Sequence, residues 1–292
     1  MSEELAQRPV RIDAHHHFWP QPDPALYPWM TDELAALRRP FGPDDLRPLL
    51  QARQIDWTVL VQTRSSLDET RDFLEIADST AFVAGVVGWV DLTSPDVARD
   101  LGDLKASKTG NWLVGIRHQV HDEPDRDWLL RADVQRGLHS VQDYGLAYDL
   151  LLRPREVPTA VKIARSFPDL RLVIDHIAKP EIAHGRIEPW ASDMAAFAGL
   201  PHVFCKLSGM VTEADWRRWE PSDLRPYVER VLGWFGEDRL LFGSDWPVST
   251  VAAPYERVHD ALKAVLDDLG VSEVAHAKIF GENARRFYHP DS

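Results

Sequence analysis

Cysteine is almost absent from this sequence: Cys205 is the only one in 292 residues. A lone thiol excludes a disulfide framework within the chain, and scarce cysteine suits a reducing compartment. Positive charge is also in deficit. Lys and Arg number 33 against 46 Asp and Glu, a formal net charge of −13. A general nucleic-acid binder needs a net basic face to displace phosphate counterions, so that class is set aside. A small anionic substrate stays open, because a few local cations override the global field. No apolar run approaches the roughly 18 residues that would cross a bilayer. The start, Met1-Ser2-Glu3-Glu4-Leu5, is acidic and lacks the apolar core of a signal peptide. These absences predict a cytoplasmic protein with neither nucleic-acid nor membrane partner; oligomeric state is not readable. Repeats, low-complexity tracts and interdomain linkers are missing too, so residues 1–292 read as one domain. Apolar residues at 44% and charged residues at 27% are ordinary for a globular chain, which at this length buries a large core without staples.

What is present is a regular alternation. Short apolar, β-rich runs occur at Val10–Ala14, Thr58–Gln62, Phe82–Val90, Leu113–Arg117, Leu146–Leu152, Arg171–Asp175, Val203–Leu207 and Leu240–Gly243. Most are continuous rather than alternating, the pattern of parallel strands buried on both faces. Helical spacing follows each. Pro43-Asp44-Asp45-Leu46 opens one helix and Ser66-Leu67-Asp68-Glu69 another. Ser94-Pro95-Asp96-Val97 predicts a Ser cap with Pro at the first helical position. Further helices are expected over Trp128–Tyr144, Pro158–Phe167, Trp190–Gly199, Leu224–Phe235, Tyr255–Asp268 and Ser272–Tyr288. Eight strands alternating with helices predict an α/β fold, the (β/α)8 TIM barrel. An open doubly wound sheet is the alternative, but no Gly-x-Gly-x-x-Gly turn follows the first strand. The Pro-, Trp- and Tyr-rich stretch from Phe18 to Gly42 is expected to be a long first loop over the barrel mouth.

A barrel places functional residues at the C-terminal ends of its strands. The polar residues fall there. The first strand ends in Asp13-Ala14-His15-His16-His17, the fourth in Arg117-His118, and the sixth in Asp175-His176 with Lys179 beyond. The fifth carries Tyr148-Asp149, the seventh Lys206-Leu207-Ser208, and the eighth ends in Gly243-Ser244-Asp245-Trp246-Pro247. Strand alternation puts His15 and His17 on one face and His16 on the other. Two imidazoles so placed share a metal ion or contact one substrate. Asp245 comes within reach of both across a closed barrel, and His176 enters from the sixth strand. Three neutral imidazoles and a carboxylate suit Zn²⁺. Blander readings stand beside these. His118 either touches substrate or closes a hydrogen bond in its loop. Asp175 reads as a strand-end structural residue, Cys205 as core, and Trp57, Trp89 and Trp112 as packing.

The motifs Ile-Asp-Ala-His-His-His-Phe-Trp at 12–19, Tyr-Pro-Trp at 27–29, Gly-Ile-Arg-His at 115–118, Ile-Asp-His-Ile-Ala-Lys-Pro at 174–180, Lys-Leu-Ser-Gly at 206–209 and Leu-Phe-Gly-Ser-Asp-Trp-Pro at 241–247 span nearly the whole chain. Together they resemble the amidohydrolase superfamily, and within it the branch of sugar lactonases and 2-pyrone-4,6-dicarboxylate lactonase. The resemblance implies that His15, His17, His176 and Asp245 form the catalytic set and, if a metal is bound, its ligands. Binuclear members add a lysine on the fourth strand and a histidine on the fifth. Neither stands at an evident position here, so the resemblance implies one divalent metal or none.

The implied reaction is opening of a lactone ring by water, making the chain a carboxylic-ester hydrolase of carbohydrate metabolism. Asp245 would be the general base, and the histidines would stabilise the developing oxyanion directly or through Zn²⁺. Arg117, His118 and Lys206 are candidates for substrate hydroxyls or charge. Tyr27 and Trp29 would cover the ring, and Trp246 would wall the pocket. A sugar lactone such as L-fuconolactone or L-rhamnonolactone is the favoured substrate. A dicarboxylate lactone would need more converging cations than Arg117 and Lys206, with Arg64 and Arg153 as weaker loop candidates. Metal-dependent decarboxylation and a non-catalytic sugar-binding barrel are the competing readings. A glycosidase would require a second carboxylate, for which only Asp149 stands out.

Overall fold

Residues 8–289 are described by the computed structural model. Eight parallel strands pair in sequence order. They are β1 (Ile12–His16), β2 (Trp57–Val61), β3 (Val83–Gly88), β4 (Leu113–His118), β5 (Ala147–Leu150), β6 (Leu172–Ile174), β7 (Val203–Leu207) and β8 (Leu240–Phe242). The ring closes just beyond β8. Asp245 N donates to His15 O at 2.8 Å, and His17 N donates to Trp246 O at 2.7 Å. The main chain that completes the TIM barrel is therefore the main chain that carries the predicted site.

Two apolar layers hold this ring. Inside it, Ile12, Ala14, Val59, Val61, Val87, Val114, Ala147, Val173 and Leu241 pack together with Ala284, Phe287 and Tyr288. The last three belong to a short C-terminal helix (Asn283–Tyr288), which thereby plugs the barrel interior. Outside it, strand residues such as Leu60, Ile116 and Leu150 meet the surrounding helices. Burying branched residues on both strand faces is what the continuous apolar runs require.

Helix starts follow capping chemistry, with one shift. Ser66 caps the helix Leu67–Ser79, its side chain accepting from Glu69 N at 3.2 Å. Ser94 instead accepts from Asp96 N in a turn, and the helix begins later, spanning Val97–Ala106. The serine satisfies the turn before the helix rather than the helix itself. Expected helices also break. Trp128–Leu130 is a separate 3₁₀ turn before Ala132–Asp143. The segment expected as Ser272–Tyr288 runs as Glu273–Ala277, a π-turn at Lys278–Glu282, and Asn283–Tyr288. The long first loop holds a 3₁₀ segment, Asp32–Leu37. Trp57, expected in packing, stands exposed at the start of β2. No helix among the described residues is long and apolar enough to cross a membrane.

Candidate active site at the barrel mouth

Strict alternation from Ile12 and Ala14, both inside the barrel, would turn His16 inward. The β1–β2 register slips between Asp13 and His16, an irregularity that re-aims the side chains. His16 instead bonds Thr58 Oγ1 at 2.8 Å. His15 and His17 face one another, Nε2 to Nε2, at 3.2 Å. Asp13 pins the turn, accepting from His15 N at 3.2 Å, Ser244 N at 2.8 Å and the Tyr255 hydroxyl at 3.1 Å.

Asp245 completes the cluster. Its Oδ1 lies 3.4 Å from His17 Nε2 and 3.9 Å from Nε2 of both His15 and His176. Asp245 itself sits at a left-handed φ of 56°. His176 opens a run of four left-handed residues, His176 to Lys179, with φ between 47° and 59°. Such backbone costs about 1–2 kcal/mol per non-glycine residue, so its surroundings must hold it. Lys179 N donates to His176 O at 2.8 Å, Trp190 Nε1 donates to Ile177 O at 2.7 Å, and His176 Nδ1 meets Ser208 Oγ at 2.9 Å. Gly209 makes room: a Cβ there would stand 2.4 Å from His176 Nδ1.

Burial sets the charges. It drives the His15 imidazole well below its ordinary range and His176 down to about 3, so both are neutral near pH 7. Burial opposes ionisation of Asp245, but His176 and His17 beside it, with Lys179, hold it below the ordinary carboxylate value. Beneath lies a buried charged layer. Lys206 Nζ reaches Asp149 Oδ2 at 2.5 Å and Asp175 Oδ1 at 2.9 Å. Arg117 Nη1 donates to Asp175 Oδ2 at 3.0 Å, and the rest of its guanidinium is held by Gln62. Burial raises Asp149 to about 6. It also opposes ionisation of Asp175, yet Lys206 ahead of His15 and Arg117 keeps that carboxyl well below its usual range.

A cavity of about 560 Å³ opens above the cluster, lined by His17, Arg117, His176 and Asp245. Trp29, Leu34, Trp216, Val248 and Val251 form apolar wall; Gln119, His121, Asp122, Arg153, Lys179 and Glu213 supply polar groups. The predicted site residues divide accordingly. Trp29 lines the cavity, whereas Tyr27 lies behind it against Trp19 and Arg64. Lys206, expected at the substrate, is wholly buried under the histidines because two carboxylates hold it there. Arg117 borders the cavity, but its donors are engaged below. His118, the other substrate candidate, bonds Glu123 and Trp89 and stacks on Trp128 at 4.2 Å, outside the cavity lining. Trp246 packs on Phe41 and Phe18 instead of walling the pocket. Asp149 lies in the buried layer, not opposite Asp245. Residues overlooked by the sequence reading, His121, Asp122, Glu213 and Trp216, sit in loops after β4 and β7. Their position beyond strand ends was the available signal.

The donor set fits one divalent ion. Zinc–nitrogen bonds of roughly 2.0–2.1 Å in a tetrahedron put donors about 3.3 Å apart. His17 Nε2 stands at such spacing from His15 Nε2, at 3.2 Å, and from Asp245 Oδ1, at 3.4 Å, with 3.9 Å between the outer two, and the three residues form one candidate metal group. His15, Asp175 and His176 form another.

The chain matches the family described as amidohydrolase over residues 12–289. It is 42% identical to an L-fucono-1,5-lactonase of Burkholderia ambifaria, over 96% of each chain. It is 38% identical to an L-fucono-1,5-lactonase of Burkholderia multivorans, again over 96% of each. Among solved structures, an amidohydrolase from Burkholderia multivorans with bound Zn superposes at a TM-score of 0.88. The two share 37% identity, covering 96% of this chain and 99% of that one.

Proposed function

This chain belongs to the amidohydrolase family, and from that premise we propose that it opens the ring of a sugar lactone by direct attack of water. It is a carboxylic-ester hydrolase, as its L-fucono-1,5-lactonase relatives are. The observation that carries the mechanism is the convergence of three imidazole Nε2 atoms on the ionised Asp245 at the floor of an open cavity.

Asp245 takes a proton from water as the water oxygen bonds the lactone carbonyl carbon. The carbonyl oxygen gains negative charge, and His176 Nε2–H serves as its donor when the Ser208 hydroxyl donates to Nδ1. The tetrahedral centre then collapses, the bond from carbonyl carbon to ring oxygen breaks, and Asp245 returns its proton to that oxygen. The product is the open hydroxy acid. A divalent ion held by His15, His17, His176 and Asp245 would add Lewis acidity at the carbonyl.

The lining supports a neutral, hydroxylated substrate. Arg117, Arg153 and Lys179 are offset by Glu33, Asp122, Glu213 and Asp245. A dicarboxylate would want an excess of cations. The apolar wall of Leu34, Val248 and Val251 suits the methyl group of a 6-deoxy sugar. The deciding assay follows proton release in weak buffer. L-fucono-, L-rhamnono-, D-galactono- and L-arabinono-lactones are screened beside 2-pyrone-4,6-dicarboxylate, with and without added Zn²⁺. Rapid opening of L-fucono-1,5-lactone is expected. Failure to open any lactone, with metal restored, would overturn the proposal and favour decarboxylation.

A further inference from the structure

Two charged groups in the cavity lining hold one another loosely. Lys179 Nζ lies 3.4 Å from Glu213 Oε1, and the two side chains are 22% and 26% exposed. A closed ammonium–carboxylate bond is about 2.7–2.9 Å long, and Lys263 reaches Asp267 at 2.8 Å elsewhere on this protein. Among the described residues, no other hydrogen bond or ion pair engages the Lys179 ammonium or the Glu213 carboxylate. The ammonium has three N–H donors and the carboxylate about four acceptor positions. Both therefore keep hydrogen-bonding capacity at the cavity. As a tie between loops, so open and partly exposed a pair contributes little.

The loops that build the site also place this pair. Lys179 ends the left-handed run that His176 opens, and its N–H donates to His176 O at 2.8 Å. Glu213 ends the 3₁₀ turn Val211–Glu213 beyond β7. Thr212 Oγ1 ties that turn back to Gly209 O at 2.6 Å. Trp216 follows, and its Nε1 donates to Thr212 O at 2.8 Å. The only polar group of the indole is thus spent within its own loop. What Trp216 offers the cavity is apolar ring surface, next in the lining to Glu213. A sugar ring divides the same way, with hydroxyls around its edge and C–H groups on its faces.

We infer that Lys179 and Glu213 are specificity-determining residues that together read two neighbouring ring hydroxyls of the lactone, those on C2 and C3. One hydroxyl donates to the Glu213 carboxylate, and its neighbour accepts from the Lys179 ammonium. Trp216 covers the C–H face beside them. Position assigns the two carbons. Lys179 shares a loop with His176, and its charge bears on both His176 and Asp245. The lactone carbonyl carbon, C1, reacts over those two residues, so its ring neighbours fall nearest the pair. This inference deepens the lactone reading above and rests on it.

Steady-state kinetics on L-fucono-lactone and its 2,3-dideoxy counterpart provide the test. The parent protein is expected to favour the hydroxylated lactone in kcat/KM by at least about 10- to 100-fold, the span of one hydrogen bond to a charged group. Glu213→Ala is expected to lose about 10- to 100-fold on L-fucono-lactone, mainly through KM, and to change little on the dideoxy compound. Equal losses on the two lactones would mean that the pair only ties its loops together, and would overturn the inference. So would an unaltered variant. Should the variant fail to fold, the parent's own preference decides, and equal kcat/KM on both lactones overturns the inference while leaving lactone hydrolysis intact. A parent protein that opens neither lactone overturns the lactone reading and this inference with it.

Discussion

In the proposed reaction, Asp245 concentrates the chemistry at the residue scale. Asp245→Asn keeps the shape of the side chain and removes the base. Turnover is expected to fall by roughly 100- to 10,000-fold, with KM little changed. A sugar-binding barrel without chemistry would show no turnover to lose. The pH profile follows from the same group. Burial works against its charge, but His176, His17 and Lys179 hold its carboxyl below the ordinary value of 3.8. The base must be ionised, so activity is lost as pH falls through that depressed value. Initial rates should be level from pH 7 down to about 5 and fall only below about 4. A limb centred near pH 6 would show that another group carries the proton.

Loops and short turns, rather than the strands, shape the pocket at the scale of elements. The left-handed run after β6 aims His176, and Gly209 after β7 gives that ring its space. Gly209 also has a left-handed φ of 59°, so any side chain there is strained as well as obstructed. Gly209→Ala should lower kcat on the order of 10- to 100-fold by displacing His176. A variant with unchanged kcat would mean that the ring position does not matter. Three 3₁₀ segments, Asp32–Leu37, Val211–Glu213 and Val248–Val251, pack together around the apolar wall. Val251→Ser should lower kcat/KM for L-fucono-lactone about tenfold relative to L-galactono-lactone, its 6-hydroxy counterpart. Parallel losses on both substrates would place the methyl elsewhere.

At the scale of the whole molecule, the barrel is anchored at the end away from this mouth. The C-terminal helix fills the barrel interior, and Tyr288 reaches Asp149 Oδ2 at 2.8 Å from below. Asn283 Nδ2 donates to the carbonyls of Glu237 and Leu240, both at 2.8 Å, tying that helix to β8. Asn283→Ala strands two carbonyls, and a loss of about 1–3 kcal/mol is expected, read as a lower Tm with KM unchanged. An unaltered Tm would show that the plug is held by its apolar contacts alone.

Much of this was legible before any coordinates. Buried parallel strands need unbroken apolar runs, helices need caps, and a barrel must show its polar residues at the strand ends. Local composition therefore determined the alternation, the barrel, and the grouping of His15, His17, His176 and Asp245. The tertiary structure decided what local pattern cannot carry. The β1 irregularity turned His15 and His17 inward, although alternation from Ile12 would have turned them out. Four left-handed residues without a glycine have no propensity signal, because contacts with Trp190 and Ser208 impose them. Lys206 and His118 carry the residue types of substrate contacts. Lys206 lies beneath the site because its partners, Asp149 and Asp175, come from other strands, and a pairing across the barrel is not written in the order of the chain.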